Sequence, residues 1–400
     1  NYLFLVMSTK LKLYKRTCPA CDQNSFKYFY NYKNFRRMDG NGKIYVIDKY
    51  YVVCKNCNLI YTNPTVDPVE FDKIYKKTII GSFRNLKKTK SNLKKLKYFT
   101  DLVPRNIVKN KNILDIGCGQ GELIRNIKTK FNLKYKNIFA IEPSRKIYLY
   151  LKKKKIINVK NLFLDQLKNN KKFDFIILDN VFEHFDFPNK SLKKINEILN
   201  ENGHLYISVP NALKPHFEYE DPLNHTCNYY FRNINDLLSK NNFKVLKIKT
   251  EDNLLNLLAK KENNLKKIKS NFNIDKKLFY NLQRKIFKSL KLFEKKNKKI
   301  KKIGQQIIKQ KLKLIIFGSG NYSLELLTKL GIRKNNVLGY VDSNILYQGK
   351  VRNGYKVYSL KNLKKMKFDK VVISSKKFMD EIYNLLIKNS IPKKKIITIK

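Results

Sequence analysis

The most restrictive feature of the sequence is a strand that runs directly into a glycine-rich turn and then into a helix. Apolar, β-branched residues predict a strand over 112–116, and the amphipathic stretch behind the turn predicts a helix over 122–130. Glycines without a Cβ allow the turn to approach a ligand closely. The turn alone suits several ligands, including dinucleotides, so the flanking residues are needed to identify the ligand class. The segment reads Ile113-Leu114-Asp115-Ile116-Gly117-Cys118-Gly119-Gln120-Gly121-Glu122.

Two acidic residues frame this turn. Asp115 precedes the first glycine, where a carboxylate can face the charged part of a ligand. Glu142 ends the next predicted strand, 138–141, a little over twenty residues past the glycines. That spacing is typical of an acid that accepts hydrogen bonds from ribose hydroxyls. The pattern therefore predicts a nucleoside-type site at the carboxyl ends of the first two strands.

Short apolar runs alternate with amphipathic stretches well beyond this segment, which predicts an α/β fold with a parallel sheet covered by helices on both faces. The alternation restarts after residue 310 and predicts a second, smaller α/β domain. Further strands are predicted at 159–164, 173–178, 205–209, 243–250, 312–317, 337–341 and 371–374, and helices at 145–153, 192–199, 323–330 and 381–388.

Two C-x-x-C pairs lie near the start of the chain, Cys18 with Cys21 and Cys54 with Cys57. Two residues between thiolates let one tight turn aim both sulfurs at one ion, and two such turns complete a tetrahedral site of four sulfurs. A redox C-x-x-C is the alternative, and the presence of two pairs counts against it. The spacing predicts a small β-rich zinc ribbon with a structural Zn²⁺ ion.

The formal charge is +55, from 86 Lys and Arg against 31 Asp and Glu. The basic residues are mostly Lys and are spread along the whole chain, so we interpret the charge as compositional bias rather than as a nucleic-acid surface. No apolar run is long enough to span a bilayer. The six residues before Met7 do not resemble a signal peptide, and Met7 is a candidate start, so we expect a cytoplasmic protein.

Residues 100–255 closely resemble the class I S-adenosylmethionine-dependent methyltransferases. Besides the glycine turn, the resemblance rests on Phe173-Asp174-Phe175-Ile176-Ile177-Leu178-Asp179-Asn180-Val181-Phe182-Glu183-His184 and on the segment from Leu199 to Asn211. The resemblance implies that S-adenosylmethionine is the methyl donor. It also implies a set of donor-binding positions, with Glu142 on the ribose, Asp165 near the adenine, Asn180 near the sulfonium, and Asp115, Gly117 and Gly119 lining the site.

Candidate catalytic residues come from the same resemblance. His225 begins a stretch, His225-Thr226-Cys227-Asn228-Tyr229-Tyr230-Phe231, that is similar to the H-x-x-x-Y-F stretch of many such enzymes. This makes His225 the candidate base, with a loop-fixing histidine as the alternative. The resemblance places Glu183 and His184 at the rim of the site, where a helix start without chemistry is the alternative. Tyr229 and Tyr230 would line the acceptor pocket.

The tail contains a second strand-to-glycine turn, at Gly318 and Gly320, and a strand that ends at Asp342. We predict that these three residues bind substrate, although Ser323 stands where a third glycine would complete a dinucleotide fingerprint. A degenerate scaffold is the alternative.

The predicted domains are a zinc ribbon (8–78), a methyltransferase domain (79–258), a helical connector (259–310) and a Rossmann-like domain (311–400). This order resembles the sugar C-methyltransferase family and implies a nucleotide-linked sugar as acceptor. Leu223-Asn224-His225 departs from that family's HEH tripeptide, so O-methylation of a glycan precursor stays open. An RNA- or protein-directed methyltransferase and a non-catalytic binding protein are the remaining alternatives.

Overall fold

The structure is a computed structural model. It describes residues 8–38, 43–77, 90–154, 157–168, 171–214, 225–263, 276–332, 334–345, 347–375 and 378–399. In this part of the chain, no helix combines the length and the apolar character that crossing a bilayer requires.

The β-strands, numbered in chain order, are β1 (Ser8–Lys10), β2 (Leu13–Tyr14), β3 (Phe26–Met38), β4 (Ile44–Cys54), β5 (Ile60–Thr62), β6 (Thr65–Val66), β7 (Ile113–Ile116), β8 (Ile138–Ile141), β9 (Asn158–Lys160), β10 (Phe173–Asp179), β11 (Leu199–Pro210), β12 (Cys227–Asn228), β13 (Phe243–Glu251), β14 (Leu254–Lys261), β15 (Leu314–Phe317), β16 (Val337–Val341), β17 (Val351–Arg352), β18 (Tyr355–Tyr358), β19 (Lys370–Ile373) and β20 (Ile396–Ile397).

The α-helices are α1 (Pro68–Lys77), α2 (Lys90–Leu102), α3 (Arg105–Val108), α4 (Glu122–Phe131), α5 (Arg145–Lys154), α6 (Pro188–Ile198), α7 (Phe231–Lys240), α8 (Lys276–Lys309), α9 (Asn321–Leu330), α10 (Leu360–Leu363) and α11 (Met379–Lys388).

The central sheet has seven strands in the order β13-β14-β11-β10-β7-β8-β9. The five strands from β11 to β9 pair in parallel, whereas β14 runs antiparallel to both β11 and β13. Because β8 and β10 lie on opposite sides of β7, the chain reverses its direction of winding beside β7. That reversal opens a crevice at the carboxyl ends of the strands, where ligands bind in open α/β sheets. The predicted α/β architecture is confirmed.

Several predicted elements differ from the structure in this sheet. A single strand was predicted at 243–250, but β13 turns back into β14, which continues to Lys261 and so runs past the predicted boundary at 258. The predicted strand at 159–164 stops at Lys160, and a 3-10 turn follows at Leu164–Gln166. The first difference arises from tertiary pairing, since β14 pairs along the length of β11.

Residues 8–77 form a unit that we name the cysteine module. Its long hairpin of β3 and β4 carries Cys54 at the end of β4, and β5 extends the sheet. The short strand β12 adds to β5 in antiparallel fashion, so a segment beyond residue 224 completes the module's sheet.

The cysteine module and the central sheet share one apolar core. Cys18, Val52 and Tyr61 of the module belong to the same cluster of buried residues as Phe182 and Tyr229. The module is therefore packed into the structure that positions the carboxyl end of β10.

The tail forms a six-stranded sheet in the order β17-β18-β16-β15-β19-β20. The predicted connecting helices appear as one long helix, α8, and residues 264–275 lie outside the described residues. The antiparallel pair of β17 and β18 was not predicted. Helix α8 meets α9 at Gly304, where a Cβ atom would overlap the carbonyl of Leu330, so the two helices pack at close range.

Candidate active site

The glycine turn after β7 lies at the crevice in the central sheet. The N–H of Gly117 donates to the carbonyl of Ile141 over 2.8 Å, which ties the turn to β8. Gly117 and Gly119 have φ angles of +65° and +52°, a region that side chains disfavour. A Cβ on Gly117 would collide with Val181, whereas a Cβ on Gly119 would meet open space. The turn thus presents bare backbone to a space that a ligand can enter.

The carboxylate of Glu142 closes this turn. Its Oε2 accepts the N–H of Gly119 over 2.9 Å and its Oε1 accepts the N–H of Ser144 over 2.8 Å. The side chain is only 2% exposed, and burial raises its pKa to about 7. Each carboxylate oxygen has a second lone pair, so Glu142 can accept further hydrogen bonds from a diol.

Asp115, at the end of β7, is also buried. Burial raises its pKa well above the usual value, and the negative charge of Asp179 at the end of β10 adds to the shift. Crowded carboxylates of this kind favour a cationic ligand, because a nearby positive charge would stabilise their ionised forms.

A lysine that the sequence analysis missed faces the same carboxylates. Lys95 lies on α2, and its Nζ forms an ion pair with Oδ2 of Asp179 at 2.5 Å. The charge of Asp179 overcomes the effect of burial and raises the pKa of Lys95, so the ammonium is retained. No local sequence pattern distinguishes Lys95 from its neighbours, so its role could not be predicted.

The other two predicted donor residues lie at the same edge of the sheet. Asn180 follows β10 with a φ of +56°, and its Nδ2 donates to Oδ1 of Asp179 over 2.9 Å. Asp165 is exposed on the 3-10 turn beyond β9. All six predicted donor positions therefore follow or adjoin the carboxyl ends of β7, β8, β9 and β10.

The three predicted catalytic side chains form a cluster, with ligating atoms within 4.8 Å of one another. Nε2 of His225 lies 3.9 Å from Oε1 of Glu183, and the rings of His184 and His225 have centroids 5.0 Å apart. Two imidazoles and a carboxylate at this spacing can exchange protons, and some divalent metal ions accept the same donor set.

Glu183 is unusual among these groups. It is 2% exposed, and no hydrogen-bond donor from the described residues reaches either of its buried carboxylate oxygens. Burial raises its pKa to about 8, and the charge of Asp179 contributes to the shift. A carboxyl group tuned to this range can accept a proton near neutral pH.

Tyr229 and Tyr230 are both buried. The ring of Tyr229 stacks on that of Phe182 with centroids 4.8 Å apart and an interplanar angle of 22°. Phe182 directly precedes Glu183, so this stack anchors the turn that carries the candidate carboxylate. Tyr230 caps the start of α7.

The four cysteines converge as the spacing predicted. Sγ of Cys18 lies 3.5 Å from that of Cys57, and Sγ of Cys21 lies 3.5 Å from that of Cys54. All four sulfurs lie within 4.8 Å of one another. A tetrahedral ion with Zn–S bonds of about 2.3 Å needs sulfurs about 3.8 Å apart, so the arrangement fits one zinc ion.

The tail repeats the geometry of the first turn. The N–H of Gly318 donates to the carbonyl of Val341 over 2.8 Å. Both the N–H and the Oγ of Ser319 donate to Oδ2 of Asp342, each over 2.7 Å. A Cβ on Gly320 would meet open space. Gly318 and Gly320 thus belong to the turn before α9, and Asp342, which follows β16, accepts the hydrogen bonds that hold this turn.

A buried arginine that sequence reasoning missed supports this tail turn. Nε of Arg352 donates to the carbonyl of Ser319 over 2.9 Å, and its guanidinium lies 4.1 Å above the ring of Tyr347. The helix start and the adjacent guanidinium suit an anion, and the N–H of Ser319 is already held by the carboxylate of Asp342.

A family model described as "Methyltransferase domain" matches residues 89–248, which contain the glycine turn, Glu142 and the cluster around Glu183. The chain carries a class I S-adenosylmethionine-dependent methyltransferase domain. A second family model, described as "C2185-like, N-terminal", matches residues 310–397, which cover the tail sheet.

Two curated relatives match the methyltransferase domain. N-methyltransferase 4 of Papaver somniferum is 30% identical over 133 residues, which cover 31% of this chain and 37% of that protein. Probable polyketide synthase 23 of Dictyostelium discoideum is 30% identical over 166 residues, 35% of this chain and 6% of that protein. The chain thus matches only a minor part of each relative's length.

Solved structures are similar to the same region. The plantazolicin methyltransferase BpumL, in complex with SAH, is 17% identical and covers 43% of this chain and 84% of its own, with a TM-score of 0.36. An S-adenosylmethionine-dependent methyltransferase from Mesorhizobium loti is 13% identical and covers 44% of this chain and 100% of its own, with a TM-score of 0.35.

Proposed function

We propose that the protein transfers the methyl group of S-adenosylmethionine to a small polar acceptor, a nucleotide-linked sugar or a glycan precursor. The observation that carries the proposal is the buried pair of carboxylates at one edge of the sheet, Glu142 on the glycine turn and Glu183 beside His225. Glu142 suits the binding of the methyl donor. Glu183, beside His225, suits the removal of a proton from the methyl acceptor.

The proposed donor site matches the charges of S-adenosylmethionine. Asp115 and Asp179 favour its cationic groups, and the ammonium of Lys95 suits its carboxylate. Glu142 would accept hydrogen bonds from the ribose hydroxyls, and Gly117 and Gly119 would leave room for the ligand. Asn180 would lie next to the sulfonium, and Asp165 would approach the adenine. When bound, the donor supplies a methyl group on a cationic sulfonium for in-line displacement.

The methyl acceptor also has to be oriented and deprotonated. Glu183 and His225 lie 3.9 Å apart, which is longer than a hydrogen bond, so an acceptor hydroxyl or a small adjustment would connect them. His225 would take the proton, Glu183 would hold the imidazole in place, and His184 would lie at the rim. Tyr229 and Tyr230 would shape the wall behind this cluster. Both C- and O-methylation suit such a base.

The cysteine module and the tail have supporting roles in this proposal. The four cysteines would hold a structural Zn²⁺ ion, and reduced thiols suit a cytoplasmic setting. The tail turn, with Gly318, Gly320 and the nearby Arg352, would bind the nucleotide part of the acceptor at its anionic phosphates, and Asp342 would hold the turn through Ser319.

The test is incubation of the zinc-loaded protein with isotope-labelled S-adenosylmethionine and a panel of nucleotide sugars, followed by mass spectrometry. We expect label in one sugar class, with a large loss for His225→Asn and wild-type turnover for His204→Asn, a half-buried strand residue. Transfer of label to RNA or protein alone would contradict the sugar acceptor. Steep dependence of RNA binding on salt would support an RNA substrate instead.

A further inference from the structure

The cysteine module reaches the catalytic cluster through a buried lysine. Lys49 lies on β4 and is 2% exposed, and its Nζ donates to the backbone carbonyl of His225 over 2.9 Å. The ammonium also lies 5.5 Å from the ring centroid of Tyr51. A buried charge is costly unless hydrogen bonds hold it, so this contact is a fixed feature of the fold.

A second cation of the module holds the next residue. Nη2 of Arg16 donates to the carbonyl of Thr226 over 3.3 Å, and its Nη1 donates to the carbonyl of Asp186 over 2.9 Å. The N–H of Thr62 also donates to the carbonyl of Thr226 over 3.0 Å. The N–H of Thr226 in turn donates to the carbonyl of Glu183 over 3.1 Å. The backbone beside His225 is thus held between the module and the turn that carries Glu183.

We propose that the cysteine module is a working part of the acceptor site, in which Lys49 is the positioning residue that sets His225 against Glu183. The inference rests on the proposed function, since it takes these two side chains as the proton-transfer pair. Lys49 touches the backbone of His225 and acts through it. A displacement of that backbone by a fraction of an ångström changes the 3.9 Å separation on which proton transfer depends.

Lys49 as a packing residue of the module is a weaker explanation. An apolar side chain of similar length would fill the same space without the cost of removing a charge from water. The Nζ hydrogen bond points away from the module and ends on a residue of the catalytic cluster. The charged and titratable groups around His225 also come from both parts, with Lys49 and Arg16 from the module and Glu183, His184 and Asp186 from the methyltransferase domain.

The test compares Lys49→Met, Lys49→Arg and the control Lys12→Met, which changes an exposed lysine of the same module. Histidine rings labelled with ¹³C are followed by NMR, and the four signals are assigned by substitution. We expect Lys49→Met to move the His225 ring signal and to leave that of His204 in place, with Lys49→Arg returning it toward the wild-type position. An unmoved His225 signal in Lys49→Met would overturn the proposal.

The NMR measurement uses neither donor nor acceptor, so its outcome is independent of the proposed function. With an acceptor in hand, Lys49→Met should lower kcat about tenfold or more while the donor Kd and the zinc content match those of Lys12→Met. A loss confined to donor binding would contradict the positioning role. If Lys49→Met does not fold, Lys49→Gln replaces it, since it removes the charge and shortens the side chain. An unmoved His225 signal in Lys49→Gln would also overturn the proposal.

Discussion

The backbone N–H of Gly119 donates to the Oε2 atom of Glu142 over 2.9 Å. This contact joins the glycine turn after β7 to the end of β8, at the place where the central sheet opens. It also holds the carboxylate in a fixed orientation beside a space that an added Cβ on Gly119 would not fill. The carboxylate of Glu142 is therefore already oriented as a hydrogen-bond acceptor before a ligand binds.

Glu142→Ala should weaken the binding of S-adenosylmethionine about 10- to 100-fold, because hydrogen bonds to a charged group contribute about 1.5–3 kcal/mol. Isothermal titration calorimetry measures the change in affinity. The control is Glu381→Ala, which changes an exposed residue. Equal affinities for the two variants would show that Glu142 does not contact the donor.

Lys95→Met should weaken donor binding about tenfold through the loss of a cation for the donor's carboxylate. The neighbouring Lys94→Met is the matched control, since Lys94 is exposed and pairs with Asp252 on the surface. Decarboxylated S-adenosylmethionine separates this role from a structural one. Wild type and Lys95→Met should bind that ligand with similar affinity, and a persistent tenfold difference would assign Lys95 to the fold alone.

Methyl transfer should accelerate as the pH rises toward about 8, because burial raises the pKa of Glu183 to about 8 and its ionised form best holds the imidazole of His225 in place as the base. Initial rates measured between about pH 6 and 9 test this, and they need to locate the apparent pKa to within about one pH unit. Glu183→Gln should lose the rise along with most activity. A profile in Glu183→Gln of unchanged shape would assign the titration to another group.

The raised pKa of Glu183 also makes stability depend on pH, in the direction opposite to that of the rate. The folded protein keeps a proton on Glu183 that the unfolded chain releases above its ordinary pKa of 4.5, so the free energy of unfolding falls as the pH rises from about 4.5 to about 8. The loss is on the order of 5 kcal/mol over this range. Chemical denaturation should show a smaller loss for Glu183→Gln than for wild type over this pH range, and parallel curves would contradict the assigned shift.

Cys57→Ser should remove the zinc ion and lower the melting temperature, because three thiolates and a hydroxyl hold zinc far less well than four thiolates. Cys118→Ala, outside the module, should keep one zinc per chain. Mass spectrometry under native conditions gives the metal content directly. A wild-type protein that folds fully without metal would show that the four sulfurs do not form a structural site.

Local sequence patterns predicted the parts of the site that depend on neighbouring residues. The strand, glycine turn, helix and terminal acid around Asp115 and Glu142 lie within about thirty residues, and the structure places them together. The two C-x-x-C pairs likewise meet because each pair is built by its own turn. These short-range patterns carry their own geometry.

Contacts between distant segments could not be predicted in this way. Lys95 pairs with Asp179 across 84 residues, and Lys49 reaches His225 across 176. In a chain with lysines at so many positions, nothing local marks either one. The antiparallel strand β14 was missed for the same reason, since its place in the sheet depends on its pairing with β11.

Calorimetric titration of the folded, zinc-loaded wild-type protein with S-adenosylmethionine tests the central claim most directly. The arrangement of Glu142, the glycine turn and Lys95 predicts saturable binding of one donor per chain, weakened by Glu142→Ala and unaffected by Glu381→Ala. An absence of binding heat at several temperatures, from protein with the expected metal content and a cooperative unfolding transition, would contradict it.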